Sequence, residues 1–213
     1  MPSQLVGLMR KLTWANFQGN APANSPWAAQ TASGFRASPP TFDNNGGTFK
    51  LRDQVTVNIV FDANRSWRVN MNQWPTQLQQ DLLDHEQGHY TISALNARDL
   101  FIRLMGLKNS TYASQADGMR DYNDWIRIFN DREKKIQAEY DSDTGHSQAN
   151  VFTPSSGMVT PPPQKSSTQE KWERLIAKAF VELRQSGGAA PDGTLYKKDL
   201  IDVLLQNGIT FDP

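Results

Sequence analysis

The sequence predicts an α+β fold in which a small β-sheet packs on two long helices, with further helices towards the C-terminus. Three observations carry that expectation. Gln54-Val55-Thr56-Val57-Asn58-Ile59-Val60-Phe61 alternates apolar and polar positions, the period of a half-buried strand. From about Thr76 to Met105 apolar residues recur at helical spacing in two stripes, Leu78-Leu82-His85-His89-Ile92-Asn96 and Leu83-Tyr90-Ala94-Ala97-Phe101. A helix apolar on two sides is buried over much of its circumference. From about Ser114 to Tyr140, Met119, Tyr122, Ile126, Phe129, Ile136 and Tyr140 keep the same spacing, and Glu133 completes their stripe.

The remaining elements follow in order. Residues 20–48, rich in Pro, Gly, Ala, Ser and Asn, read as loops and short turns, with Asn44-Asn45-Gly46-Gly47 the clearest turn. Asp62-Ala63-Asn64-Arg65 reads as a hairpin turn, and Ser66 to Val69, carrying Trp67, as a return strand. Pro75 suits the first position of the first long helix, and Gly106 stops it. After the second helix, Tyr140-Asp141-Ser142-Asp143-Thr144-Gly145-His146 reads as a polar turn. Residues 147–167 include Pro161-Pro162-Pro163 and read as an exposed, protease-sensitive loop. Helix resumes from Thr168 to about Gln185, ended by Ser186-Gly187-Gly188, and a last helix runs from about Leu195 to Gln206. This divides the chain into a main domain, 1–186, and a C-terminal helical extension, 187–213, that could take a protein partner or inhibitor.

Composition narrows the function. Lys plus Arg and Asp plus Glu both total 22 in 213 residues, so the formal net charge is zero. That is not the basic footprint of a nucleic-acid binder or a polybasic membrane patch. Cysteine is absent, so any metal must be held by His, Asp or Glu. No apolar run approaches the roughly 18–20 residues of a membrane span. The N-terminal segment places its charges after a short apolar patch, the wrong order for a signal peptide.

Residues 85–89 read His-Glu-Gln-Gly-His, and with His146 these are all three histidines of the chain. Positions i and i+4 lie one turn apart on one helix face, so His85 and His89 can both reach one Zn²⁺, with Glu86 beside it as general base. This HExxH pattern extends the expected fold to a zincin-like one, with the first long helix carrying the site. Two ordinary helix histidines explain the inward placement, but neither the adjacent Glu nor the spacing. A catalytic zinc takes a third protein ligand and keeps one position open. The metzincin position is taken by Leu95, so that ligand comes from further along the chain. His146 is preferred, with Glu133 next and Asp141 and Asp143 behind. Asp99 and Asp141 are candidates for bonding the outer nitrogens of the histidines. Tyr140 and Tyr90 are candidates for oxyanion contacts, although aromatic packing accounts for both. The Val55–Phe61 strand either offers its edge to an extended peptide or lies inside the sheet.

The string Leu82-Leu83-Asp84-His85-Glu86-Gln87-Gly88-His89, followed by a long helix and Tyr140-Asp141…Thr144…His146, resembles a bacterial family of predicted secreted zinc-dependent proteases. That family was first grouped as a domain of unknown function. Leu12-Thr13-Trp14-Ala15-Asn16-Phe17 is similar to its N-terminal start and Gln169…Trp172…Ile176 to its closing helix, so the resemblance covers about residues 10–185. The proline-rich stretch departs from the family pattern as an insertion, and the last 25 or so residues lie outside it. The resemblance implies Zn²⁺, hydrolysis of protein or peptide substrates, and a secreted or periplasmic location, which the missing leader leaves open. Two other readings stand beside it: a zinc amidase acting on cell-wall or other amides, and a zinc-stabilised binding module without catalysis. Glu86 argues against the last, because a structural site needs no base.

Overall fold

The computed structural model describes residues 2–23, 25–146, 166–185 and 200–209. Seven short strands precede four helices: β1 (Gln4–Val6), β2 (Ala29–Gln30), β3 (Ser33–Ala37), β4 (Phe42–Asn45), β5 (Thr48–Leu51), β6 (Thr56–Phe61), β7 (Trp67–Arg68), α1 (Thr76–Gly106), α2 (Gln115–Thr144), α3 (Ser167–Gln185) and α4 (Leu200–Leu205). The α+β expectation therefore holds. The predicted loop over 147–167 lies outside the described residues except for its last two, as do the Ser186-Gly187-Gly188 stop and the start of the last helix.

The alternating strand is β6, and it lies inside its sheet. β1 pairs with it in parallel and β3 antiparallel, giving the order β1-β6-β3. Val57 joins Leu100, Leu104 and Phe129 in one apolar cluster, while Phe61 joins Tyr90 and Ala94 in another. One face of β6 thus covers α1 from Tyr90 to Leu104, as its period of two requires. The expected hairpin does not form. The chain does turn at Asp62, where Ser66 N donates to Asp62 O at 2.9 Å. Beyond the turn, however, Trp67–Arg68 pairs with β2, and Trp67 Nε1 donates to Gln30 Oε1 at 2.9 Å.

Residues 20–48 hold three strands that loop composition conceals. β4 and β5 form the hairpin across the expected turn, where Gly46 and Gly47 take positive φ (63° and 91°) and Gly47 N donates to Asn44 Oδ1. β3, Ser-Gly-Phe-Arg-Ala, matters most, because it forms the sheet edge beside α1.

Helix α1 is buried on almost every side from Tyr90 to Met105. Two of its buried polar side chains are tied to neighbours: Asn96 Nδ2 donates to Phe129 O at 2.9 Å, and Arg98 bonds Asp99. Asp99 also accepts from Leu200 N at 2.7 Å, and Arg98 donates to Ala179 O, which ties α1 to α3 and α4. Asp99, one of two candidates for bonding the outer nitrogens of the histidines, is therefore a packing anchor between helices. Leu200, Val203 and Leu204 of α4 share one core with Trp172 of α3 and Ile92 of α1. No described helix is long and apolar enough to cross a membrane.

Helix α2 begins at the Ser114 N-cap, whose Oγ accepts from Asp117 N, and runs four residues past its expected end. It stops where Gly145 adopts the left-handed conformation (φ 58°), the usual device for releasing a chain from a helix. The segment read as a polar turn is therefore its last turn. This carries Asp141 and Thr144 on the helix and leaves His146 just beyond.

Candidate metal centre

His85 and His89 stand one turn apart on α1, with their Nε2 atoms 3.1 Å apart. Asp141 Oδ1, brought from α2, lies 3.3 Å from the first and 3.0 Å from the second. These are the three residues among those described whose ligand atoms gather closely enough to hold a metal ion.

Hydrogen bonds behind the rings fix what those atoms are. Gln137 Nε2 donates to His89 O at 3.0 Å, a carbonyl that can only accept. Gln137 Oε1 must then be the atom 2.6 Å from His89 Nδ1, so Nδ1 carries the proton. Gln169 Nε2 is likewise spent on Tyr140 Oη and Glu173 Oε1, leaving Oε1 to accept from His85 Nδ1 at 3.1 Å. With Nδ1 protonated, a neutral ring turns the lone pair of its Nε2 towards the other ring and the carboxylate. Asp141 Oδ1 is enclosed and faces imidazole nitrogens only, His146 Nδ1 at 3.1 Å being the third. Three converging acceptors repel unless something positive sits among them.

The residues fit a zinc ion. Zinc bonds near 2.0–2.2 Å in a tetrahedron separate donors by roughly 3.3 Å, close to the spacing observed. Two imidazoles and one carboxylate are a borderline donor set suited to Zn²⁺. Burial alone pushes His89 down, but Asp141, Glu86 and Gln137 outweigh it and hold the imidazole above its ordinary range. Burial would raise Asp141, yet its bonds to His85 and His89 hold it far below the usual carboxylate range.

Glu86 is almost fully buried, faces the same cleft, and its Oε2 has no partner. A buried carboxylate oxygen with nothing to accept from is costly, and here it points where a water or substrate would sit. The cleft, about 470 Å³, is walled by β2, β3 and the segment between them, with His85, Glu86, His89 and Asp141 on the opposite side.

The other predicted residues divide clearly. His146 lines the cleft but is not in the gathered group; its Nδ1 is 3.1 Å from Asp141 Oδ1, and its ring lies against Trp27, tilted by 30° with centroids 3.6 Å apart. Glu133 is buried away from the histidines and accepts from Ser93 Oγ. Burial raises its pKa above the ordinary value, against the opposing bonds from Ser93, Asn96 and Gln137. Asp143 accepts from Trp172 Nε1 and faces α3. Tyr140 stacks on His85 (4.8 Å between centroids, 12° between planes) and donates to His85 O, so it supports the ring from behind. Tyr90 donates to Gly7 O at the far side of the helix. Sequence reasoning missed Gln137 and Gln169, and ranked Asp141 low. A signal existed for two of them: Glu133, Gln137 and Asp141 form an i, i+4 ladder of polar groups beside the apolar stripe of α2.

Over residues 5–147 the chain matches the family described as Bacterial protein of unknown function (DUF922). The match includes β1 to α2 and all the residues of the cluster, and ends before α3, so the closing helix expected from the resemblance is outside it. No curated protein and no solved structure matches the chain.

Proposed function

We propose that this chain, which belongs to the bacterial family of unknown function DUF922, is a zinc-dependent metallopeptidase. The observation that carries this reading is the convergence of His85 Nε2, His89 Nε2 and Asp141 Oδ1, three potential ligand atoms within 3.3 Å of one another, beside the unpartnered Glu86 Oε2. In this reading those three atoms hold the metal. His146, expected from the sequence as the third ligand, instead faces Asp141 Oδ1 with its Nδ1 at 3.1 Å. A zinc ion so held supplies Lewis acidity to a carbonyl oxygen and to water.

The chain's own residues account for the rest. Gln137 and Gln169 keep both Nε2 lone pairs aimed forward, and Tyr140 fixes the His85 ring. Glu86 takes the proton of the attacking water at Oε2 and returns it to the leaving amine. At 3% exposure its carboxylate meets little competing solvent. The unpaired edge of β3 runs along the cleft, so an extended peptide can pair with it and bring a backbone carbonyl to the site.

The retained base separates this from a zinc-stabilised binding module. A zinc amidase acting on cell-wall peptides uses the same residues, and digestion of peptidoglycan alongside a protein-derived peptide library separates the two. The direct test is Glu86→Gln: it should keep zinc and fold and lower kcat by about 10²–10⁴-fold. Wild-type turnover in that variant would remove Glu86 from the chemistry.

A further inference from the structure

The wall of the cleft has a phase and a charge. Asp62 N donates to Ala32 O and Ser38 N donates to Thr56 O, both at 2.8 Å. Bonding positions alternate along an antiparallel pair. Ala32, Gly34, Arg36 and Ser38 therefore turn their backbone groups to β6, while Ser33 and Phe35 turn theirs outward. No described strand pairs with that outer edge. A peptide laid antiparallel on it bonds to Ser33 and Phe35, and its residues opposite Gly34 and Arg36 fall in the closer, non-hydrogen-bonded pairs. There side chains lie on the same face with Cβ atoms about 4.5–5.5 Å apart.

Those two positions differ in what they offer. Gly34 leaves space, for a Cβ there would meet only Glu133 Oε1 at 3.9 Å. Arg36 lines the cleft and is exposed, and so is Arg65 from the turn after β6. Neither is paired with a carboxylate among the described residues. Asp62 shares the wall, but its Oδ1 accepts from the backbone N–H groups of Asn64 and Arg65. Direction is also fixed. Thr31, just before β3, donates to Glu86 O at 3.3 Å, so β3 runs from the Glu86 end of the cleft towards Arg36. An antiparallel peptide runs the other way.

We propose that Arg36 determines specificity, selecting an extended peptide that carries an Asp or Glu side chain opposite it, on the amino-terminal side of the bond presented to Glu86. This rests on the peptidase reading. The planar guanidinium suits a carboxylate with two parallel hydrogen bonds, and the second unpaired cation, Arg65, keeps the wall positive.

The zinc-loaded protein should be given a proteome-derived peptide library and its cuts sequenced. The expected profile is enriched in Asp or Glu at one position on the amino-terminal side. For the best acidic peptide, Arg36→Ala should lower kcat/KM on the order of tenfold, and Arg36→Glu should move the enrichment to Lys and Arg. No acid enrichment, enrichment on the carboxy-terminal side, or a profile unchanged in Arg36→Glu overturns the proposal. If nothing is cut, hydrolysis fails as the function, and the edge is read by retention of the library on immobilised zinc-loaded Glu86→Gln protein. Acid-enriched retention that Arg36→Glu abolishes then upholds the selectivity, and unselective or absent retention overturns it.

Discussion

Replacing Gln137 with Ala isolates the part of the site that orients a ligand without touching the metal. The Gln137 amide makes three bonds: Oε1 accepts from His89 Nδ1 at 2.6 Å, and Nε2 donates to His89 O at 3.0 Å and Ser93 Oγ at 3.1 Å. Removing it frees the His89 ring to rotate and to move its proton to Nε2, which blocks the lone pair. Loss of such an outer partner costs metal affinity about 10–100-fold, or roughly 1.4–2.8 kcal/mol at about 1.4 kcal/mol per tenfold. The same three bonds contribute to the metal-free fold, at about 1 kcal/mol each at most. Gln137 is half-buried, so water replaces part of that, and a loss of about 1–2 kcal/mol is expected. The assay is zinc titration against a chromophoric chelator, paired with denaturant unfolding in excess chelator. A stability loss with zinc affinity within twofold of wild type would refute the orienting role and leave Gln137 as packing only.

Other substitutions probe different supports. Gly88→Ala places a methyl group on the Tyr140 ring and hydroxyl, which are fully buried and bonded to His85 O and Gln169; overpacking of about 1–3 kcal/mol and a displaced His85 should appear as a lower Tm and weaker zinc binding. His146→Ala should lower zinc affinity by less than Asp141→Ala does, because His146 is not among the residues whose ligand atoms gather; the reverse order in a chelator titration would restore His146 as the third ligand. Glu133 is held above the ordinary carboxylate value by burial, so the unfolded chain releases its proton first as pH rises. Its contribution to stability is thus fully present below the unfolded value of 4.5 and is lost as pH rises through the folded value. Unfolding measured across that window should show this decline in wild type and not in Glu133→Gln.

Local periodicity made the long elements legible. Stripes of apolar residues placed α1 within a residue or two of Thr76–Gly106, and strict alternation placed β6. The His85–Glu86–His89 spacing was readable because all three residues sit within one turn of a helix. What the sequence concealed depended on pairing between distant segments. β3 has five residues, one of them glycine, and becomes a strand only because β6 supplies partners about 25 residues away. Trp67–Arg68 pairs with β2 for the same reason. Asp141 was hidden by composition: Tyr-Asp-Ser-Asp-Thr-Gly has the residues of a turn, yet packing of Tyr140 against His85 and Trp172 carries the helix through it to Gly145. Gln169 reaches His85 from 84 residues away, and nothing in its local sequence distinguishes it from any other helical glutamine.

The central claim is a zinc centre built from His85, His89 and Asp141, and its most direct test is the equilibrium zinc affinity and stoichiometry of wild type beside Asp141→Ala. Wild type should bind one zinc per chain, with an affinity that falls as pH drops, since the ligand imidazoles must be unprotonated at Nε2. Asp141→Ala should bind at least 10²-fold more weakly, the loss of a ligand exceeding that of an outer partner. A wild-type protein that takes up no zinc, or an Asp141→Ala protein that binds it as tightly as wild type, would contradict the account.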